Sequence, residues 1–256
     1  MRPINRTRAI WASVLAVLVA GSCALAEPVG VTPAQKDQLK ALALETREKT
    51  MRVRDELRRA RQELFQVYRV YELDERKARA AIDRISKSQL ALLNLHLDNQ
   101  LDLRRVLTEA QFTGFCQRMS RRFGHGEAGM LHFGDEGPLD RLPDKDLLQA
   151  VGATPEQGGR LVRLGGLREK GRVIEKLRRD SRQMIDLYSR YDLDTPAARK
   201  LIDSIHQGQS DLAAANHKAQ QALRSVLTQQ QFDRLQEETA KRIKAQGEHR
   251  RRFKRF

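Results

Sequence analysis

Apolar positions along this chain advance in steps of four and three. Val53, Leu57, Ala60, Leu64, Val67 and Tyr71 fall on one stripe. Val173, Leu177, Met184, Leu187 and Tyr191 repeat the register 120 residues later, with Asp180 where Ala60 stood. Such spacing belongs to a helix that buries one face. A second pair of stripes follows, through Ala78, Ile82, Ile85, Leu92, Leu103 and Val106, and through Ala198, Ile202, Ile205, Leu212, Ala219, Leu223 and Val226. Each predicts a helix of about 30 residues, roughly 45 Å long. Between the stripes, Asp74 and Asp194 are placed to cap the second helix, and Pro196 lies just inside it.

The periodicity is part of a wider repetition. Arg52-Val53, Leu57-Arg58-Arg59, Tyr68, Tyr71, Leu73-Asp74, Ile82-Asp83, Ile85 and Val106-Leu107-Thr108 all recur at an offset of 120. The chain is a tandem duplication, and the duplicated element is helical. Four segments carry one start signal: Thr32 with Gln35, Thr108 with Gln111, Thr154 with Gln157, and Thr228 with Gln231. In this capping box the Thr hydroxyl accepts from the N–H three residues on, and the Gln side chain reaches back to the Thr N–H. Pro33 and Pro155 stand at the first helical position, where a missing N–H costs nothing. Leu107 with Phe112 and Leu227 with Phe232 have hydrophobic-staple spacing.

These signals predict an all-α protein. Each copy reads as a long helix, a tight turn, an antiparallel long helix and a shorter helix opened by Leu-Thr-x-x-Gln. The expected boundaries are unit 1 at 27–123, a Gly/Pro linker at 124–144 holding Pro138 and Pro143, unit 2 at 145–245, and a basic tail at 246–256. Gly158, Gly159, Gly165, Gly166 and Gly171 predict a bent or mobile start to the second copy. Residues 1–26 stand outside the fold: Arg2, Arg6 and Arg8, an apolar run from Ala9 to Ala20, then Ala24-Leu25-Ala26 have the layout of a signal peptide cleaved before Glu27. The expected location is therefore the periplasm, with lipoprotein processing at Cys23 as a second route.

Losing the three leader arginines takes the net charge from +15 to +12. That field attracts anionic protein segments or acidic lipid, and export disfavours nucleic acid as a partner. With Cys23 removed, Cys116 has no internal disulfide partner, and its neighbours Phe112, Phe115 and Met119 predict a small buried hydrophobe.

The four Thr-x-x-Gln boxes, two of them full Leu-Thr-x-x-Gln, behind a leader and amid Arg-rich helices, resemble the Spy/CpxP family of periplasmic proteins. The resemblance covers most of the mature chain, twice over. It implies tandem hairpins forming an elongated, curved cradle, with one chain acting as a pseudo-dimer or pairing as a homodimer. It also implies ATP-independent binding of unfolded or misfolded clients. On the residues themselves, Arg52, Arg58, Arg59, Arg79, Arg172, Arg178, Arg179 and Arg199 are the repeated basic positions expected to meet clients, by long-range attraction to acidic stretches. Their alternative is a solvated face of intrahelical pairs.

The family has zinc-associated members, which makes a metal-responsive envelope regulator the second reading. The candidate ligands are His125 and His132 around Met130, without the clustered Cys/His spacing of a strong site; no bound metal is expected, and zinc is the alternative. A third reading is an adaptor lying on anionic membrane through Lys241, Arg242, Lys244, Arg250 to Arg252, Lys254 and Arg255. No Gly-x-Ser-x-Gly elbow or phosphate-binding Gly loop is present, so no enzyme is expected.

Overall fold

In the computed structural model, residues 30–123 and 143–253 are described. The signal-like segment, the greater part of the linker with His125 and His132, and residues 254–256 of the basic tail lie outside them. The described residues form helices and connections without a strand, so the fold is all-α. The helices are α1 (Pro33–Tyr68), α2 (Glu75–Val106), α3 (Glu109–Phe123), α4 (Lys145–Ala150), α5 (Pro155–Leu164), α6 (Leu167–Ser189), α7 (Thr195–Val226) and α8 (Gln229–Phe253). At the starts of α2 and α7 the cap is made as expected. Asp74 Oδ1 accepts from the Lys77 N–H at 3.0 Å and Asp194 Oδ1 from the Ala197 N–H at 2.9 Å.

The two copies differ at one place that explains a broken helix. Gly30, Thr32 and Gln35 match Gly152, Thr154 and Gln157 at an offset of 122 (154 minus 32), whereas Arg52 and everything after it match at 120. Copy two therefore lacks two residues that copy one has between these landmarks. A two-residue deletion in a continuous helix turns the face by about 200° at 100° per residue and would bury the wrong stripe. The chain instead stops α5 with Gly165 as cap, turns at Gly166 with φ +63°, and restarts as α6. A positive φ costs glycine nothing and a side chain about 1 kcal/mol or more. The expected bend is here, where copy one runs α1 unbroken.

Packing divides the chain into two compact units that each draw on both copies. Among the described residues, unit 1 comprises 30–58 and 85–123 with 176–207; unit 2 comprises 59–84 with 143–175 and 208–253. The duplication is thus a unit of sequence, and each packing unit takes the turn region of one copy onto the remainder of the other. In unit 1, Val31, Leu39, Leu103, Leu107 and Phe112 form a buried cluster bordered by Leu42, Val106, Phe115, Cys116 and Tyr191. Cys116 is half-buried there, and burial raises its thiol pKa. In unit 2, Leu161, Ala222, Leu223, Val226, Leu227, Phe232 and Leu235 cluster with Leu147 and Val151.

Those last two belong to α4, a helix the periodicity did not predict, and to its C-cap. Asp144 caps the start by accepting from the Leu147 N–H at 2.8 Å, and Arg242 of α8 holds the same carboxylate at 2.9 and 3.2 Å. Asp180, set in the apolar seam of α6, is also accounted for. Its carboxylate accepts from Lys176 Nζ at 3.1 Å and Ser204 Oγ at 2.7 Å, so the buried charge is partnered.

Candidate functional site

The four boxes are more than local caps, because they pair. In unit 1, Gln35 Oε1 accepts from its own Thr32 N–H at 3.0 Å, while Gln35 Nε2 donates to the Val106 carbonyl at 2.7 Å and to Gln111 Oε1 at 3.0 Å. Gln111 answers: Oε1 accepts from the Thr108 N–H at 3.0 Å, and Nε2 donates to the Gly30 carbonyl at 2.6 Å and to Gln35 Oε1 at 3.2 Å. Both donors and both acceptor directions of each amide are used. Unit 2 repeats the arrangement with Gln157 and Gln231 across 3.0 and 3.2 Å, tied to the carbonyls of Val226 and Gly152. Gly30 and Gly152 both have positive φ, which lets the chain turn each carbonyl toward the pair. The job of these eight Thr and Gln residues is to lock two helix starts together.

A second fastening lies one turn away and was not singled out by sequence reasoning. Arg224 on α7 donates from Nε to the Tyr71 carbonyl at 2.9 Å and from Nη2 to the carbonyls of Tyr68 at 3.0 Å and Val70 at 2.7 Å. Its Nη1 binds the Gln220 carbonyl at 2.6 Å, and the guanidinium lies 4.6 Å from the centre of the Phe232 ring. Tyr71 returns a hydroxyl to the carbonyls of Arg224 and Leu227, each at 3.1 Å. In unit 1, Arg104 does the same for the carbonyls of Tyr188, Arg190 and Tyr191, over Phe112 at 4.2 Å, with Tyr191 bonding back to Arg104 and Leu107. Each arginine caps the C-terminal end of a helix from the other copy, where carbonyls lack intrahelical partners and the dipole favours a cation. Burial lowers both guanidinium pKa values from the ordinary one, yet they remain cations.

The eight arginines expected to meet clients are all exposed. Arg52, Arg58, Arg178, Arg179 and Arg199 belong to unit 1, and Arg59, Arg79 and Arg172 to unit 2. Several have acidic neighbours on their own helix: Arg52 pairs with Glu48, Arg58 with Asp55 at 2.7 Å, and Arg79 approaches Glu75 at 3.9 Å. Arg84, which sequence reasoning passed over, joins the turn-side ends of two helices through Glu63. Large apolar side chains are exposed near them in sequence, Leu44 and Met51 in unit 1 and Val70, Val162 and Leu164 in unit 2.

Histidines that looked isolated in sequence have partners. His217 Nδ1 meets the Tyr68 hydroxyl at 2.9 Å and Nε2 meets Glu75 Oε2 at 2.9 Å, while Gln221 donates to the other Glu75 oxygen at 2.7 Å. Hydrogen bonds from Gln221 and then His217 hold the Glu75 carboxyl below its ordinary pKa. The Tyr68 ring is buried, and the chain of groups ties the first turn of α2 to α7. Unit 1 has Tyr188, Leu97 and Thr195 at these positions and lacks the tie. His206 meets Ser86 at 2.8 Å, the two standing at equivalent positions of the two copies. No group of three His, Cys, Asp or Glu is placed to hold a metal among the described residues.

His96 on α2 makes a pH prediction. Its half-buried ring, with the Arg54 charge nearby, has a pKa lowered from 6.5 to about 4, burial being the larger cause. As pH falls from 6.5 towards 4, the unfolded chain takes up a proton that the folded chain refuses, so stability declines over that window. His96→Gln should flatten that part of a plot of urea midpoint against pH; an unchanged slope would put the origin elsewhere.

Comparison of the chain with protein-family models, with curated proteins and with solved structures returns no match. Among the described residues no helix is long and apolar enough to cross a membrane.

Proposed function

We propose that this chain is a periplasmic, ATP-independent chaperone of the Spy/CpxP kind, without enzymatic activity, that binds unfolded or misfolded proteins on basic and partly apolar helical surfaces. The observation that carries the reading is that all eight repeated arginines are exposed, with large apolar side chains exposed in each unit. These arginines recur at the 120-residue offset while remaining at the surface. Long-range attraction from a +12 chain speeds encounter with acidic stretches, and shallow apolar contacts hold a client weakly enough to let it go.

The test is aggregation of a chemically unfolded acidic protein with the chain 27–256 at rising ratio, without nucleotide, with zinc or chelator in parallel. Suppression that saturates near equal stoichiometry and ignores metal is expected; suppression only with zinc would replace this reading with the metal-responsive one. Reversing Arg52, Arg58, Arg178 and Arg179 to Glu should raise the chaperone ratio needed by about fivefold or more, since like charges now meet. The urea midpoint of each single reversal should move little, within about 0.5 kcal/mol of stability, as exposed substitutions do.

A further inference from the structure

The fastenings that hold copy one to copy two are of two kinds. Arg104 and Arg224, with Tyr191 and Tyr71 bonding back, are the same residues in both copies, and they hold backbone carbonyls, so they serve any pair of copies. They give affinity without choice. Choice rests where the copies differ. In unit 2 a polar turn meets a polar helix face: Tyr68 and Glu75 of copy one each bond to His217 of copy two at 2.9 Å, and Gln221 donates to the other Glu75 oxygen at 2.7 Å. In unit 1 the corresponding positions, 120 residues away, hold Tyr188 and Thr195 on the turn side of copy two, with Leu97 and Leu101 on α2 of copy one. Leu97 is only 3% exposed, and Thr195 turns its hydroxyl to its own Leu193 carbonyl at 3.5 Å. A turn without a carboxylate is thus matched to a face without a polar group.

The matching holds only between unlike copies. Were copy one to pair with another copy one, Glu75 would face Leu97 and Leu101, and its carboxylate would exchange two hydrogen-bond partners for methyl groups. Were copy two to pair with another copy two, His217 and Gln221 would face Thr195 and lose the carboxylate they share. A polar group left without its partner inside an interface costs free energy that the matched pair does not, and this is how polar residues select among similar partners. A third difference points the same way. Ser86 meets His206 at 2.8 Å, and the two are equivalents, so like copies would set identical side chains together there: two serines too short to span the gap, or two imidazoles crowding it.

We propose that the two copies are specific partners: the pairing face of each takes the other copy in preference to a second copy of itself. Glu75 with its two partners on α7, set against Thr195 with the two leucines on α2, makes the choice. The consequence is a chain that closes on itself and leaves neighbouring chains alone, although both copies carry the same general fastenings. This stands on the packing of the copies and not on the chaperone reading. An inert result in the aggregation assay leaves it untouched.

The test exchanges partners without changing composition. Glu75→Thr with Thr195→Glu moves the carboxylate from one turn to the other, so unlike copies become mismatched and like copies matched. Adding Leu97→His, Leu101→Gln, His217→Leu and Gln221→Leu moves the receiving face as well and matches unlike copies again. Each chain, residues 27–256, carries a protease site within 124–142 and is cut after folding, so no copy is asked to fold alone. The cut chains are equilibrated in mild urea, returned to buffer, and their pairs counted by native mass spectrometry. Random choice would make half of the pairs unlike. The parent should instead give unlike pairs in about tenfold excess. Exchanged turns should give a majority of like pairs, and exchanged turns and faces together should restore the parent's ratio. Random pairing in the parent, or exchanged turns that still pair unlike copies, would overturn the proposal. The uncut chains add a measurement that needs no reassembly: the urea midpoint should fall when the turns are exchanged and return when the faces follow. A midpoint that stays low would equally overturn it, because it would make Glu75 a residue of its own copy's fold and not of the choice between copies.

Discussion

Arg224→Leu should be the most damaging single change at a position that looks, in sequence, like any other surface arginine. Arg224 satisfies the carbonyls of Tyr68, Val70 and Tyr71 at the end of α1 and the Gln220 carbonyl of its own helix. Leucine leaves them without a donor. Hydrogen bonds from a charged group each contribute about 1.5–3 kcal/mol, and a buried acceptor left bare costs about 1–3 kcal/mol. The Val70 carbonyl is near solvent and will find water, so we expect a loss of about 3–4 kcal/mol rather than the full sum. Stacking over Phe232 adds about 0.5–1 kcal/mol to what is lost. Arg224→Lys should recover less than half, because one ammonium cannot reach three diverging carbonyls while lying flat on a ring. Urea unfolding followed by circular dichroism measures both. A cost below about 1 kcal/mol for the leucine variant would show that the carbonyls are hydrated without difficulty. Arg104→Leu in unit 1 should match it, since Arg104 makes the same bonds to Tyr188, Arg190 and Tyr191.

Why these arginines escape a reading of the sequence is instructive. Gln100 with Arg104 and Gln220 with Arg224 do recur at the 120-residue offset, so the signal was present. A chain with 48 Lys and Arg hides it, because charge on a helix normally means a solvated face. The helices themselves were legible because period 3.6 and capping chemistry are local. Leu57, Ala60, Leu177 and Met184 of the predicted seams are indeed buried. What was not legible is long-range. That Gln35 finds Gln111 depends on where 76 residues of chain bring it, and that each packing unit mixes the copies depends on contacts no window contains. The α4 helix failed for a different reason: six residues are fewer than two turns, too short to show a period. Its cap, Asp144, fell inside what composition marked as linker.

Gln111→Glu separates a local cap from a paired one. Glutamate is the usual third residue of a capping box, and a negative charge in the first turn of α3 is favoured by the helix dipole. Were the box only local, the change would be neutral or slightly stabilising. The observed pairing predicts the opposite, because a carboxylate cannot donate to the Gly30 carbonyl at 2.6 Å or to Gln35 Oε1 at 3.2 Å. Two attractive contacts become oxygen against oxygen. We expect a loss of about 2–3 kcal/mol at neutral pH, reduced somewhat by the dipole. The deficit has a sign in pH that no simple packing defect shares. Facing two oxygens, the new carboxyl has its folded pKa raised above its unfolded value, since its protonated form donates one bond and its charged form none. Stability relative to the parent is therefore recovered as pH falls through that raised pKa, and the two urea midpoints should converge toward about pH 4. Gln231→Glu must behave alike, being held to the Gly152 carbonyl at 2.8 Å and Gln157 Oε1 at 3.2 Å. A deficit that is absent at pH 7, or that ignores pH, would return the Leu-Thr-x-x-Gln boxes to the status of independent helix starts.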